Sequence, residues 1–203
     1  MTDEVVTDPV PEVVGYRLIL PAGWVQHPVR PGVAEKLLAH VRSVFEQAPQ
    51  AAPLYTSLRS AVFTAVRDLK ANGGLDIYLP ERTRTGGALP VSVIASMVTI
   101  GDRGVDAALP YLSRGADTEA VQTHAGTAYF WNSATAGRGD WEGIDSIDRF
   151  CLYPLPGDTP AQGLLFTYGV IVTPDLDEDY RDLLFALFDS LMYSLAWETD
   201  ARD

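Results

Sequence analysis

Leu164-Leu165-Phe166-Thr167-Tyr168-Gly169-Val170-Ile171-Val172 stops at Thr173-Pro174 and gives way at once to Asp175-Leu176-Asp177-Glu178. The first stretch is β-branched and aromatic over nine residues, the length and composition of a strand buried in a sheet. The second opens a helix. Asp175 with Glu178 has the spacing of a capping box, and Thr173 with Pro174 at the first helical position is an equally good start. From there Leu176, Tyr180, Leu183, Leu184, Leu187, Phe188, Leu191 and Leu195 recur at i, i+3, i+4 and i+7, so the spacing predicts an amphipathic helix from Asp175 to about Trp197 that lies on a sheet. Phe185, Met192, Tyr193 and Trp197 widen its apolar girdle beyond one face. A strand leading directly into a helix that packs back on the sheet is the joint around which the other segments are read.

Upstream, Ile147–Tyr153, Thr127–Ala134 and Ala120–Gly126 read as strands separated by short turns, which implies antiparallel pairing. Leu89–Ile100 and Leu75–Leu79 are further strands, joined through Pro80–Ala88, whose Arg, Gly and Thr content is that of an exposed loop. Asp106–Leu112 has room for one or two helical turns. Two helices precede these strands. Val33, Leu37, Leu38, Val41, Val44 and Phe45 share one face, and Leu54, Leu58, Ala61, Val62, Ala65, Val66 and Leu69 share another, the second closed by Asn72-Gly73-Gly74. Tyr16–Leu20 and Trp24–Val29 flank Pro21-Ala22-Gly23 and read as a strand pair, with Pro28 favouring a sheet edge. Residues 1–13 mix Asp, Glu, Val and Pro without period and are expected to form a mobile acidic tail. The expectation is one α+β domain over 14–199: an antiparallel sheet of about six or seven strands with helices packed on its faces.

Composition narrows the function classes. With 47% hydrophobic and 21% charged residues the chain is that of a folded protein rather than a disordered one. Fifteen Lys and Arg against 27 Asp and Glu leave a net charge of −12, which repels nucleic acid and anionic lipid and attracts basic partners. The charge is polarised, because Arg30–Arg84 carries eight of the basic residues and Asp140–Asp203 is rich in acids. Cys151 is the sole cysteine, so no internal disulfide framework exists. The first residues lack a basic then apolar leader, and no apolar run approaches the ~20 residues that span a bilayer, so a cytoplasmic location without membrane insertion is the expectation.

No catalytic constellation emerges. The Gly-x-Ser-x-Gly elbow is absent, Cys151 lies inside an alternating strand, and His27, His40 and His124 are far apart. Asp175, Asp177 and Asp179 match the start of a calcium loop, but Tyr180 stands where glycine is required and Ala186 where glutamate is. Asp140, Glu142, Asp145 and Asp148 fail in the same way, with Cys151 at the terminal position. Gly137-Arg138-Gly139 lacks the third glycine of a dinucleotide fingerprint. Neither catalytic residues, metal nor cofactor are therefore expected. Binding surface remains. Tyr129 and Trp131, followed by Asp140, Trp141 and Glu142, combine aromatic anchors with an acidic rim and are the expected partner-binding residues, although Tyr129 and Trp131 also fit a half-buried strand alternating with Phe130.

The element order, the turn Leu20-Pro21-Ala22-Gly23-Trp24 and the final strand–helix joint closing on Trp197 resemble the Mog1/PsbP-like fold, most of all its small LpqN-type members from actinobacteria, which are associated with type VII secretion and toxin gene clusters. The resemblance implies a non-catalytic protein-binding module: an accessory, chaperone-like or immunity-type partner of a secreted protein, its own partner a basic protein, secreted substrate or toxin. It supplies no active site to transfer. The alternative from another class is a small-ligand binding domain or unrecognised hydrolase with a pocket between sheet and helices.

Overall fold

The computed structural model describes residues 13–45, 52–80, 91–136, 145–157, 161–172 and 176–200. In chain order the elements are β1 (Val13–Arg17), β2 (Trp24–Pro28), α1 (Val33–Phe45), α2 (Ala52–Ala71), β3 (Gly74–Pro80), β4 (Val91–Thr99), α3 (Val105–Leu112), β5 (Glu119–Thr123), β6 (Gly126–Thr135), β7 (Ser146–Pro154), β8 (Gln162–Ile171), α4 (Glu178–Tyr193) and β9 (Ala196–Thr199). Seven strands form one antiparallel sheet in the order β2-β3-β4-β8-β7-β6-β5, and β1 pairs with β9 in a separate two-stranded ribbon. The fold is α+β, as expected.

The meander β5-β6-β7-β8 sets chain neighbours side by side in the sheet, and its first connection is a tight turn. At Thr123–Gly126 the Thr123 hydroxyl accepts from the Ala125 N–H and donates to the Gly126 carbonyl, which closes the hairpin without a partner from elsewhere. Strand period 2 then sorts the side chains. Val93, Ala95, Phe130, Cys151, Tyr153, Leu164, Phe166, Tyr168 and Val170 point to one face and are at most 1% exposed. That face is covered by Leu184, Phe188, Leu191 and Met192 of α4 and by Leu195. Phe188 stacks on Tyr168 at 5.1 Å between ring centres. Each such side chain contributes roughly 1.5–3 kcal/mol relative to exposure, which fixes α4 across the middle of the sheet. The opposite face carries a smaller cluster in which Leu109 of α3 covers Trp131 and Leu152.

Polar contacts cap α4 at its start and tie it to the sheet midway and at its end. Its N-cap is Asp177, which accepts from the Tyr180 N–H at 2.8 Å; Glu178 and Asp179 place negative charge on the positive end of the helix. The starts expected at Thr173–Asp175 lie outside the described residues, and the helix itself opens later than expected, at Glu178. At the other end the Tyr153 hydroxyl, its pKa pushed up to about 12 by burial, donates to the Met192 carbonyl, which also accepts from the Leu195 N–H at 3.0 Å. Midway, Arg149 of β7 donates through Nε and Nη2 to the two oxygens of Asp189, at 2.6 and 2.8 Å, with Phe130 and Phe185 against its guanidinium at 5.1 and 5.8 Å.

Two expectations are corrected. The helix does not run to Trp197. It ends at Tyr193, where the Ser194 hydroxyl donates to the Leu191 carbonyl, and Ala196–Thr199 form β9 instead. The first strand does not pair with the second either: β2 pairs with β3, and β1 pairs with β9 through Tyr16 opposite Trp197. The turn at Pro21–Trp24, with Gly23 at φ 86°, therefore redirects the chain between two sheets rather than closing a hairpin. Val13, the last residue of the expected tail, is the first residue of β1; residues 1–12 lie outside the described ones.

Candidate binding cleft

A cleft of about 540 Å³ lies at one end of the α4-covered face, roofed by the ribbon. Its floor is Gly74, Leu75, Asp76, Met97 and Leu164. One wall is the end of β2 with Val29 and Arg30, and the roof is Val13–Tyr16 with Trp197 and Glu198. Local sequence builds each part. A bulge between Gly74 and Asp76 shifts the β3–β4 register and leaves Asp76 on the same face as Tyr78. Before it, Gly73 has φ 80°, and a Cβ there would stand 2.5 Å from the Met97 carbonyl oxygen, so the α2–β3 turn sits against β4 only because that residue has no side chain. Above, Gly15 opposes Glu198, and a Cβ on Gly15 would come within 2.9 Å of Glu198 Oε2.

Three polar residues of the cleft, Tyr16, Asp76 and Gln26, form one chain with Tyr78 beside it. Tyr78 Oη donates to Tyr16 Oη at 2.9 Å, Tyr16 Oη donates to Asp76 Oδ2 at 2.6 Å, and Gln26 Nε2 donates to Asp76 Oδ1 at 2.9 Å. Asp76 is 7% exposed. Burial first, then the neighbouring Tyr78 and the bond to Asp76, push the Tyr16 hydroxyl far above the ordinary phenol value; burial does the same to Tyr78 against the opposing effect of its bond to Tyr16. Both hydroxyls stay protonated and act as donors, never as bases. The ribbon is anchored by edge-to-face packing of Tyr16 on Phe166 at 5.5 Å, by the bond from Trp197 Nε1–H to the Ala125 carbonyl at 2.8 Å, and by the Ile19 N–H to Ser194 Oγ at 2.9 Å.

The residues singled out from sequence fall elsewhere. Trp131, expected on a partner surface, is 3% exposed and stacked on Phe150 at 5.2 Å, 5° from parallel, with Leu109 of α3 in the same cluster. The apolar cluster on that face takes the indole up, as the strand alternation also allowed. Tyr129 lies half-buried beside it, its hydroxyl pushed up by burial and by the charge of Asp106. Asp140, Trp141 and Glu142 lie outside the described residues. Cys151 is fully buried on the other face, and burial raises its thiol well above the ordinary range. The cleft residues Tyr16, Gln26, Asp76 and Glu198 drew no attention in the sequence. The signal was there in Asp76, a carboxylate at an inward position of the strand Leu75-Asp76-Ile77-Tyr78-Leu79. Among the described residues, no three His, Cys, Asp or Glu side chains gather to hold a metal, and no helix is long and apolar enough to cross a membrane.

The chain is thus an α+β protein built on a seven-stranded antiparallel sheet, with a small ribbon roofing one end of its helix-covered face. No protein-family model matches its sequence and no curated protein matches it. Among solved structures it is similar to the Ran-binding protein Mog1p of Saccharomyces cerevisiae, with 13% identity, 60% of this chain and 77% of that chain covered, and a TM-score of 0.40. A mutant form of Mog1 gives 11% identity, 62% and 80% coverage, and a TM-score of 0.40. At this level of likeness neither neighbour lends this chain a residue, a ligand or a partner.

Proposed function

We propose that this protein is a non-catalytic binding module that takes an extended segment of a partner protein into the cleft between the β1–β9 ribbon and the sheet. The observation that carries the reading is the hydrogen-bond chain Tyr78–Tyr16–Asp76–Gln26. Its hydroxyls are held as donors and its carboxylate is fixed in place by them, so the cleft offers shaped polar contacts rather than a nucleophile beside a base. The net charge of −12 favours a basic partner. In its finer form the proposal is the accessory, chaperone-like or immunity-type role implied by the resemblance, exercised on a secreted protein from the cytoplasmic side, with Tyr129, Asp140, Trp141 and Glu142 as a further contact region.

A second reading is favoured by the cleft volume, since about 540 Å³ is also the size of a small-molecule site. One experiment separates the two. A random-peptide display library is panned against the folded chain, and the enriched peptides are titrated into the protein and into Val13→Trp, which narrows the cleft from its roof. Enriched peptides that shift the Trp197 indole resonance and bind Val13→Trp at least about tenfold more weakly support the proposal. Peptides that bind both proteins alike refute it, and a metabolite library that raises the melting temperature of the native chain but not of Val13→Trp transfers the cleft to the small-molecule reading.

A further inference from the structure

We infer that Asp76 makes this cleft a receptor for a basic side chain, a deepening that rests on the binding role proposed above. Asp76 is a buried carboxylate whose donors are all neutral: one phenol and one amide. Among the described residues it has no ion-pair partner. A carboxylate offers about four acceptor positions, and Tyr16 and Gln26 occupy two. A negative charge removed from water and held only by neutral groups is the arrangement in which an incoming cation gains most, because charge-assisted hydrogen bonds strengthen as the surrounding water is excluded.

The rest of the cleft suits the same guest. Trp197 is also a lining residue, and an indole is a side chain against which the methylene stem of a lysine packs while its ammonium lies near the ring face. Gly15 leaves room for the Glu198 carboxylate at the roof, so acid stands both below and above the entering group. Arg30 lines the β2 wall, and the lining still carries one more acid than base. Tyr16 and Tyr78 cannot supply an anion in competition, since both are held protonated. Occupancy by the neutral side chain of an otherwise identical peptide leaves the Asp76 charge uncompensated and forfeits those bonds.

The test uses two short probes, acetyl-alanyl-lysyl-alanine amide and its norleucine counterpart, titrated into the isotopically labelled chain and followed by NMR. The lysine probe is expected to bind about tenfold tighter or more, the range of a hydrogen bond to a charged group. Cross-peaks are expected from its ε-protons to the Tyr16 and Trp197 rings. Asp76→Asn should erase the preference, and Glu198→Gln, at an exposed position, should keep most of it. Should Asp76→Asn fail to fold, the cross-peaks in the wild-type chain decide. Equal binding of the two probes with shifts at the cleft overturns the charge inference and leaves the binding role standing. Absence of any cleft shift overturns both, and a preference that survives Asp76→Asn assigns the selectivity to the overall charge of the protein instead.

Discussion

Replacing Asp189 by alanine removes the carboxylate that holds Arg149 and with it the main polar tether between α4 and the sheet. The pair is bidentate, at 2.6 and 2.8 Å, and the two side chains are only 13% and 21% exposed. Breaking a buried pair from one side costs about 3–5 kcal/mol, because the remaining charge is stranded. Arg149 is not left bare, however. It keeps a bond to Asn132 Oδ1 at 3.0 Å and two aromatic faces, Phe130 and Phe185, each worth roughly 0.5–2 kcal/mol to a cation. The residual exposure adds some hydration. The expected loss for Asp189→Ala is therefore about 2–3 kcal/mol, read as a lower urea midpoint with unchanged slope by circular dichroism. The double variant Arg149→Met with Asp189→Leu removes both charges and keeps the volume, and is expected to cost less than Asp189→Ala alone. That non-additivity is the signature of a desolvated pair. A loss below about 1 kcal/mol for Asp189→Ala would put the pair with ordinary surface salt bridges. A double variant as unstable as the sum of its singles would refute the coupling outright.

Three further outcomes follow from the geometry. Gly73→Ala must place a Cβ 2.5 Å from the Met97 carbonyl oxygen at φ 80°, and should lower stability by about 2 kcal/mol or more in the same urea assay. Cys151, fully buried with its thiol raised by desolvation and by the charge of Asp189, should resist iodoacetamide in native buffer and be labelled only at the rate of global opening, so its labelling should accelerate in parallel with loss of stability across the variants above. Asp148 has its carboxyl raised by burial against the opposing bonds from Thr135 and Ser146. A raised acid binds protons more strongly in the native state, so its contribution to stability falls as pH rises through the carboxylate range. Asp148→Asn should thus gain stability relative to wild type between pH 3 and pH 7, and a difference that stays flat or shrinks contradicts the burial argument.

Much of this architecture was legible because it is local. The β8–α4 joint, the β5–β8 meander and the glycine stop after α2 each depend on neighbours within a few residues, where period and turn chemistry speak directly. The ribbon was not. Tyr16–Leu20 reads as a strand and Ala196–Thr199 is too short to announce one, and the ribbon forms only through pairs far apart in sequence, from Val13 opposite Thr199 to Arg17 opposite Ala196. The apolar stripe of the helix runs on in sequence through Leu195 and Trp197, yet Leu195 is buried in the core after the helix has ended and Trp197 belongs to β9. The cleft was hidden for the same reason: Asp76, Tyr16, Gln26 and Glu198 lie on four strands. Trp131 illustrates the converse. A large aromatic in an alternating strand fits a binding surface and a core equally well, and only the placement of α3 decides between them.

The pairing of β1 with β9 also bears on biosynthesis. During translation the sheet, its helices and the floor of the cleft can all be assembled while Val13–Arg17 has no strand to join, and the roof closes only after Thr199 has left the ribosome. Any partner that needs both surfaces is therefore met only after Ala196–Thr199 has paired with Val13–Arg17, and a chain stalled before that segment would carry the carboxylate of Asp76 without the ribbon that encloses it.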